Sequence, residues 1–406
     1  MANSQVSPAG TLAQTPSVAA NYLTTLNIVA AATDFTTGAA QIAVYRSVDQ
    51  GISWGPLILP LPAGYIGGES NVVAYGFPDV FIVASHVFDA SGNGSIAVYT
   101  STDNGITFGA PVIAAQGFTT FINNVQVNAA FDNSQASTYQ GSVYLVYVHQ
   151  FNTDFVGGSV IFFQRSLDNG QTWLRPALVS PDADFVTRGD VAAGLTGIVY
   201  VAYISLTPFT RFEVSRSLDG GATFQTPVIV SPVTLVPSVL PVTGYGFEVP
   251  TGANIAVDNS ALSTSGTLYA VWQDNRQGYA DVLLSRSFDQ GLTWTAPVSV
   301  TSAPAGTQNF FPSIDVSPKS GLITILYYSN QINGFDLDTY VAISVDGGAS
   351  FFNRRESTAS SNPNAGSATP VPSIGNYTDI STIPPFGFIG VWTDTRTGAQ
   401  AIFSGN

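Results

Sequence analysis

The side chains equipped for acid–base chemistry are few. The chain holds two histidines, His86 and His149, and four glutamates, Glu69, Glu213, Glu248 and Glu356. Glu69, Asp190 and Glu248 are candidate proton donors or acceptors, and His86 and His149 candidate bases. Carboxylates flanking a sugar linkage, or a histidine beside one, are the machinery of glycoside hydrolysis or polysaccharide elimination. Each also has a structural reading: a histidine ending an apolar strand caps it, and a loop carboxylate is solvated. Among eleven arginines, Arg188 alone enters an innermost strand of the units described below. The candidate ligand-binding set is Tyr65, Phe185, Arg188, Tyr245 and Tyr279. Phe118, Phe121, Phe310 and Phe311 are expected in loops on the same face, where exposed aromatic rings suit a ligand or partner.

Composition excludes several other chemistries. With no cysteine in 406 residues, disulfides, thiolate metal sites and thiol catalysis are absent. A net charge of −14, with only 9% of residues charged, leaves too few cations for nucleic acid or an anionic membrane face. No apolar run approaches the roughly 20 residues of a membrane span. No signal peptide is visible at the N-terminus, yet the low charge and single lysine suit an extracellular location or a cell, spore or particle surface. No cofactor is called for. A structural calcium ion is the one candidate metal, at Asp89–Asn93, Asp182 and Asp184, or Asp336 and Asp338, none with the spacing of a dedicated loop.

One pattern organises the chain: Ser-x-Asp-x-Gly-x-(Ser/Thr)-(Trp/Phe), six times over. The copies are Ser47, Asp49, Gly51, Trp54; Ser101, Asp103, Gly105, Phe108; Ser166, Asp168, Gly170, Trp173; Ser217, Asp219, Gly221, Phe224; Ser287, Asp289, Gly291, Trp294; and Ser344, Asp346, Gly348, Phe351. Glycine supplies a left-handed backbone angle, Ser and Asp bond neighbouring amides, and the aromatic ring tucks beneath: a self-locked hairpin turn. A strand precedes each copy and a short one, often opened by proline, generally follows, with two more strands upstream. Each unit is a four-stranded antiparallel meander, and such repeats are the blades of a β-propeller.

The reading is an all-β, single-domain propeller with seven blades, six being the alternative. Approximate blade limits are 13–60, 68–115, 123–180, 188–231, 250–301, 308–358, and 374–406 plus 4–9. The last blade has three strands of its own. Gln5-Val-Ser-Pro, which matches Pro297-Val-Ser-Val, supplies the fourth and removes two open edges.

The six motifs resemble the Asp boxes, or bacterial neuraminidase repeats, of the sialidase superfamily. The resemblance implies a β-propeller with the boxes opposite the active-site face. It also implies a site with three arginines gripping a carboxylate, a Tyr–Glu nucleophile and an Asp acid. This chain departs from that recipe. Arg46, Arg165, Arg216 and Arg286 each precede a box serine, where they brace turns. Arg276 and Arg396 sit beside Asp274 and Asp394 in paired Trp-x-Asp-x-Arg turns. The expected function is therefore a non-catalytic propeller binding a glycan or surface protein through its loop-rich face, with self-assembly a further use of the neutral surface. The alternative is a glycosidase or polysaccharide lyase with a non-classical site. The segment 231–250 is long enough to form a lid over that face or a contact to another subunit.

Overall fold

The computed structural model describes residues 3–118, 122–152, 157–180, 185–367 and 373–406. Seven four-stranded antiparallel sheets form a ring, which confirms the propeller and settles seven blades over six. The innermost strands are Ala13–Ala20, Tyr65–Gly76, Ile122–Phe131, Asp190–Ala193, Asn254–Val257, Asn309–Val316 and Asp379–Ile383. In blade seven the outermost strand is Ser4–Gln5, with Ser4 opposite Ser404 and Gln5 opposite Phe403. Val6 N–H donates to Ile402 O at 2.7 Å and Ile402 N–H to Ser7 Oγ at 3.0 Å, so the N-terminal strand closes the ring as expected.

The core lies between blades. Strands such as Ile28–Asp34 and Leu268–Asp274 are buried along their whole length because both sheet faces meet a neighbour, which is why they read as continuous apolar runs. Seven apolar clusters each join a pair of adjacent blades.

All six turns lock alike. In the first, Gly51 N–H donates to Ser47 Oγ at 2.8 Å, and Ser47 Oγ donates to Asp49 Oδ1 at 2.8 Å. Ser53 donates its N–H to Asp49 Oδ1 at 2.9 Å and its hydroxyl to Oδ2 at 2.6 Å. Trp54 Nε1 donates to Gly51 O at 3.1 Å. Gln50 (φ 60°) and Gly51 (φ 85°) are both left-handed, a strain held by this network. A Cβ on Gly105 would lie 2.4 Å from Val29 Cγ2 of blade one, so the turn leans on the preceding blade.

The arginines before the boxes brace the next blade's turn rather than their own. Arg46 donates to Asn104 O, Arg165 to Asp219 O and Gly220 O, Arg216 to Gln290 O, and Arg286 to Gly347 O. Thr100 performs the task toward Asn169 O, and Asn406 reaches Gln50 O across the closure. Arg276 and Arg396 pair with Asp274 and Asp394 at 2.7 and 2.6 Å, as their spacing foretells.

Candidate functional site

The seven innermost strands line the central channel in register, and interblade hydrogen bonds fix that register. Asp379 accepts from Val18 N–H at 2.9 Å, Ser17 Oγ from Val73 N–H at 3.0 Å, and Asp190 from Ile255 N–H at 2.8 Å. Ser17, Val72, Asn128, Asp190, Asn254, Ser313 and Asp379 therefore form one tier. Two residues earlier in each strand stand Thr15, Ser70, Gln126, Arg188, Gly252, Phe311 and Tyr377, the tier nearer the loop-rich mouth. Thr15, Ser70, Gln126 and Phe311 have φ between 53° and 59° and sit at bulges in the first strand pair of their blades. Bulges re-aim side chains at strand ends and are common beside binding sites.

Two cavities occupy the channel. The mouth cavity, about 410 Å³, is lined by six of the seven outer-tier residues and by Gln150, Gln273, Asn254 and Asn376. Leu235, Val236, Val249 and Pro250 of the long connection form an apolar wall. Among its described lining residues Arg188 is the one charged side chain. The inner cavity, about 640 Å³, opens toward the boxes and contains Asp190, Asp315, Asp379 and Lys319, with Arg188 shared between the two.

Arg188 spans the ring. Its Cζ lies 4.0 Å from the centroid of the Tyr377 ring, which belongs to blade seven, three blades away. Its Nε is buried without a hydrogen-bond partner, and Arg188 takes part in none of the six ion pairs among the described residues. Stacking on an aromatic face orients the guanidinium plane without using its N–H donors. Its Nη donors remain available to an anion, whereas the enclosed Nε is closed to one.

The channel carboxylates are engaged differently. Asp190 accepts from Asn128 Nδ2 at 2.6 Å, Val191 N–H at 2.8 Å and Ile255 N–H at 2.8 Å. Asp379 accepts from Ser17 and Ser313 hydroxyls and from two amides. Asp315 accepts from the Thr382 N–H and hydroxyl. They act as struts between blades. Burial raises the Asp190 and Asp315 carboxyls to about 6, against the lowering effect of these donors.

The remaining sequence candidates are scattered. Glu69 Oε1 lies 3.3 Å from His86 Nδ1, while the His86 Nε2 is buried and unpartnered. His149 Nδ1 meets Asn124 Oδ1 at 2.7 Å and its ring stands edge-on to Phe162. Burial lowers the His149 pKa, so it is neutral at pH 7. Glu248 is exposed on the long connection. Tyr65 donates to Ser95 Oγ, and Phe185 is 45% exposed. Tyr65, Phe185, Tyr245 and Tyr279 line neither cavity. Tyr245 is buried in the apolar cluster of the connection, its hydroxyl donating to Phe335 O. Phe310 and Phe311 lie within a strand and are buried, not in loops as expected, because the innermost strand of blade six extends to Asn309. Phe121, Asp182 and Asp184 lie outside the described residues. Asp89 closes a turn through Ser91 and Asn93, and Asp338 pairs with Arg355. Among the described residues no group of three or more His, Cys, Asp or Glu is placed to hold a metal.

The sequence reading missed Tyr377. Its signal is the offset shared by Arg188-Gly-Asp190 and Tyr377-Thr-Asp379, which places both in the mouth tier.

The long connection does cover part of the mouth face. Val236, Leu240, Tyr245, Phe247 and Val249 turn inward onto Phe310, Tyr328, Leu337, Trp392 and Phe403 of blades six and seven. Asn275 N–H donates to Thr234 O, anchoring it on blade five.

Comparison with known proteins gives a fold and no closer kinship. No protein-family model matches, and none of the curated proteins does either. Among solved structures, a polysaccharide lyase described as an ulvan lyase, bound to -[GlcA(1-4)Rha3S]-, superposes with a TM-score of 0.57 at 14% identity, over 99% of this chain and 95% of that one. The α-L-arabinanase of Penicillium chrysogenum gives 0.53 at 12% identity, over 100% and 97%. The NanB sialidase of Streptococcus pneumoniae gives 0.54 at 9% identity, over 94% and 83%. The chain thus has the β-propeller fold of sialidases and of other carbohydrate-acting propellers, here with seven blades.

Proposed function

We propose that this propeller is a glycan-binding module that takes an anionic saccharide in its mouth cavity, at a cell or particle surface. The carrying observation is Arg188: oriented by Tyr377, outside the six ion pairs, and the one charged group among the cavity's described lining residues. A carboxylate or sulfate ester satisfies the Nη donors, amide side chains suit hydroxyls, and Phe311 with the apolar wall suits the ring face of a sugar. The fold neighbours, which include a lyase bound to a uronate- and sulfate-bearing saccharide, are consistent with this chemistry. No carboxylate is among the cavity's described lining residues, so the reading favours binding over hydrolysis.

The test is calorimetric titration with uronate, sulfated and neutral oligosaccharides. Arg188→Met is expected to weaken the anionic ligand at least tenfold, as loss of a charge-assisted pair does, and to leave the melting temperature nearly unchanged. Binding of neutral sugars alone, or an unchanged affinity in Arg188→Met, overturns the reading. The alternative, a non-classical hydrolase or lyase, draws on the Glu69–His86 contact at 3.3 Å. Turnover abolished by Glu69→Gln would establish it.

A further inference from the structure

We infer that the box-bearing face is a self-association surface, occupied by the same face of a second copy of this chain. The second position of the box carries a large apolar side chain in five of its six copies: Val48, Leu167, Leu218, Phe288 and Val345. They are 50%, 60%, 53%, 67% and 82% exposed, and Ile52, beyond the glycine of the first box, is 73% exposed. None of these positions is needed by the turn, whose bonds come from Ser, Asp, Gly and the following Ser or Thr. Further apolar side chains in the first-to-second connections share the face, among them Phe386 at 72% exposure.

Size and periodicity select the occupant. About a dozen half-exposed large side chains, spread round the face rather than gathered in one patch, together present on the order of 1,000 Å² of surface. A standard interface takes about 800 Å² from each partner. The box-position residues recur in five of the seven blades and Phe386 stands in blade seven, so the surface is a broken ring around the channel axis. The same ring on a second copy matches it in diameter and period, and a twofold axis makes the contact self-complementary.

Charge fits as well. Both oxygens of each box carboxylate accept hydrogen bonds within their own turn, as Asp168 does from Ser166 and Thr172. Between them stand Arg46, Arg165, Arg216 and Arg286, each reaching the next turn. At these four seams the rim alternates in sign although the chain as a whole is at −14. A copy rotated by half a blade sets carboxylates over guanidinium groups, whereas a strongly acidic partner meets repulsion.

Sedimentation velocity on the full chain, from about 1 to 100 µM, tests the inference. A monomer–dimer equilibrium is expected, and Ile52→Glu combined with Val345→Glu should weaken the dimer at least tenfold. These side chains are exposed, so melting should be unaffected; should the pair fail to fold, Phe288→Ser takes its place. Leu235→Glu on the mouth face should leave the dimer intact. A wild type monomeric at 100 µM overturns the inference, as does a dimer indifferent to box-face charges.

Discussion

Replacing Asp379 by alanine probes the strut at the ring closure. The carboxylate accepts from Ser17 Oγ at 2.7 Å, Val18 N–H at 2.9 Å, Ser313 Oγ at 2.8 Å and Ile380 N–H at 2.9 Å, joining blades six, seven and one. The two hydroxyls can rotate to other acceptors; the two amides cannot. A stranded buried donor costs roughly 1–3 kcal/mol, so two give about 2–6 kcal/mol. Removing a carboxylate whose ionisation burial disfavours returns part of this. The expected loss is about 2–4 kcal/mol, read as a lower midpoint in urea at unchanged slope. Asp379→Asn, which keeps one acceptor, should lose less. Asp336→Ala, in a turn with Asn333, should change stability by under about 0.5 kcal/mol. If Asp379→Ala falls within that same margin, the carboxylate is not a strut and the tier assignment fails with it.

Stability should also depend on pH in two opposed limbs. Asp190 and Asp315 are raised to about 6 in the fold, so between pH 4 and 6 the folded chain holds more protons and stability falls as pH rises. Asp103 and Asp219, lowered to about 2 by the hydrogen bonds of their turns, favour the fold above pH 4 and lose that contribution as pH falls toward 2. Melting curves should peak near pH 4–5, and Asp190→Asn should flatten the upper limb; a maximum above pH 7 contradicts the assignment. Arg286→Ala, which removes the bond to Gly347 O, should destabilise by about 1 kcal/mol without altering saccharide affinity. Deleting residues 3–7 should lower the melting temperature by many degrees, because it exposes the strand Ala401–Gly405 as a bare edge.

The scaffold was legible because it is local. Ser47 to Trp54 contains the whole recipe of its turn, and six copies marked six of the seven blades. The closing strand was legible because Gln5-Val-Ser-Pro copies Pro297-Val-Ser-Val. The site was less so. Innermost strands carry no clean alternation to show which side chains enter the channel, Ile122–Phe131 being half-buried along most of its length. Left-handed Thr15, Ser70, Gln126 and Phe311 are not glycines and give no warning of a bulge. Arg188 stood out by position alone, while its partner Tyr377 comes from a blade 189 residues away in sequence. Glu248, Tyr245 and Tyr279 were nominated by loop position, and burial and packing sort them in ways sequence does not encode.

The handed-on bracing of the turns leaves one joint unlike the rest. Six seams carry a donor from one blade to the following box, but blade seven has no box, and at the seam from six to seven the hydroxyls of Ser317 and Ser320 donate instead to Pro385 O in a first-to-second turn. Its apolar contact is divided: a small cluster, Leu326, Val341, Ile380 and Phe388, and a larger one under the long connection, where Phe310 and Tyr328 of blade six meet Trp392 and Phe403 of blade seven. That joint therefore leans on the long connection: Phe247→Ala, which loosens the cover, should speed amide exchange in Gly387–Asp394 while leaving Leu268–Asp274, its counterpart in blade five, unchanged.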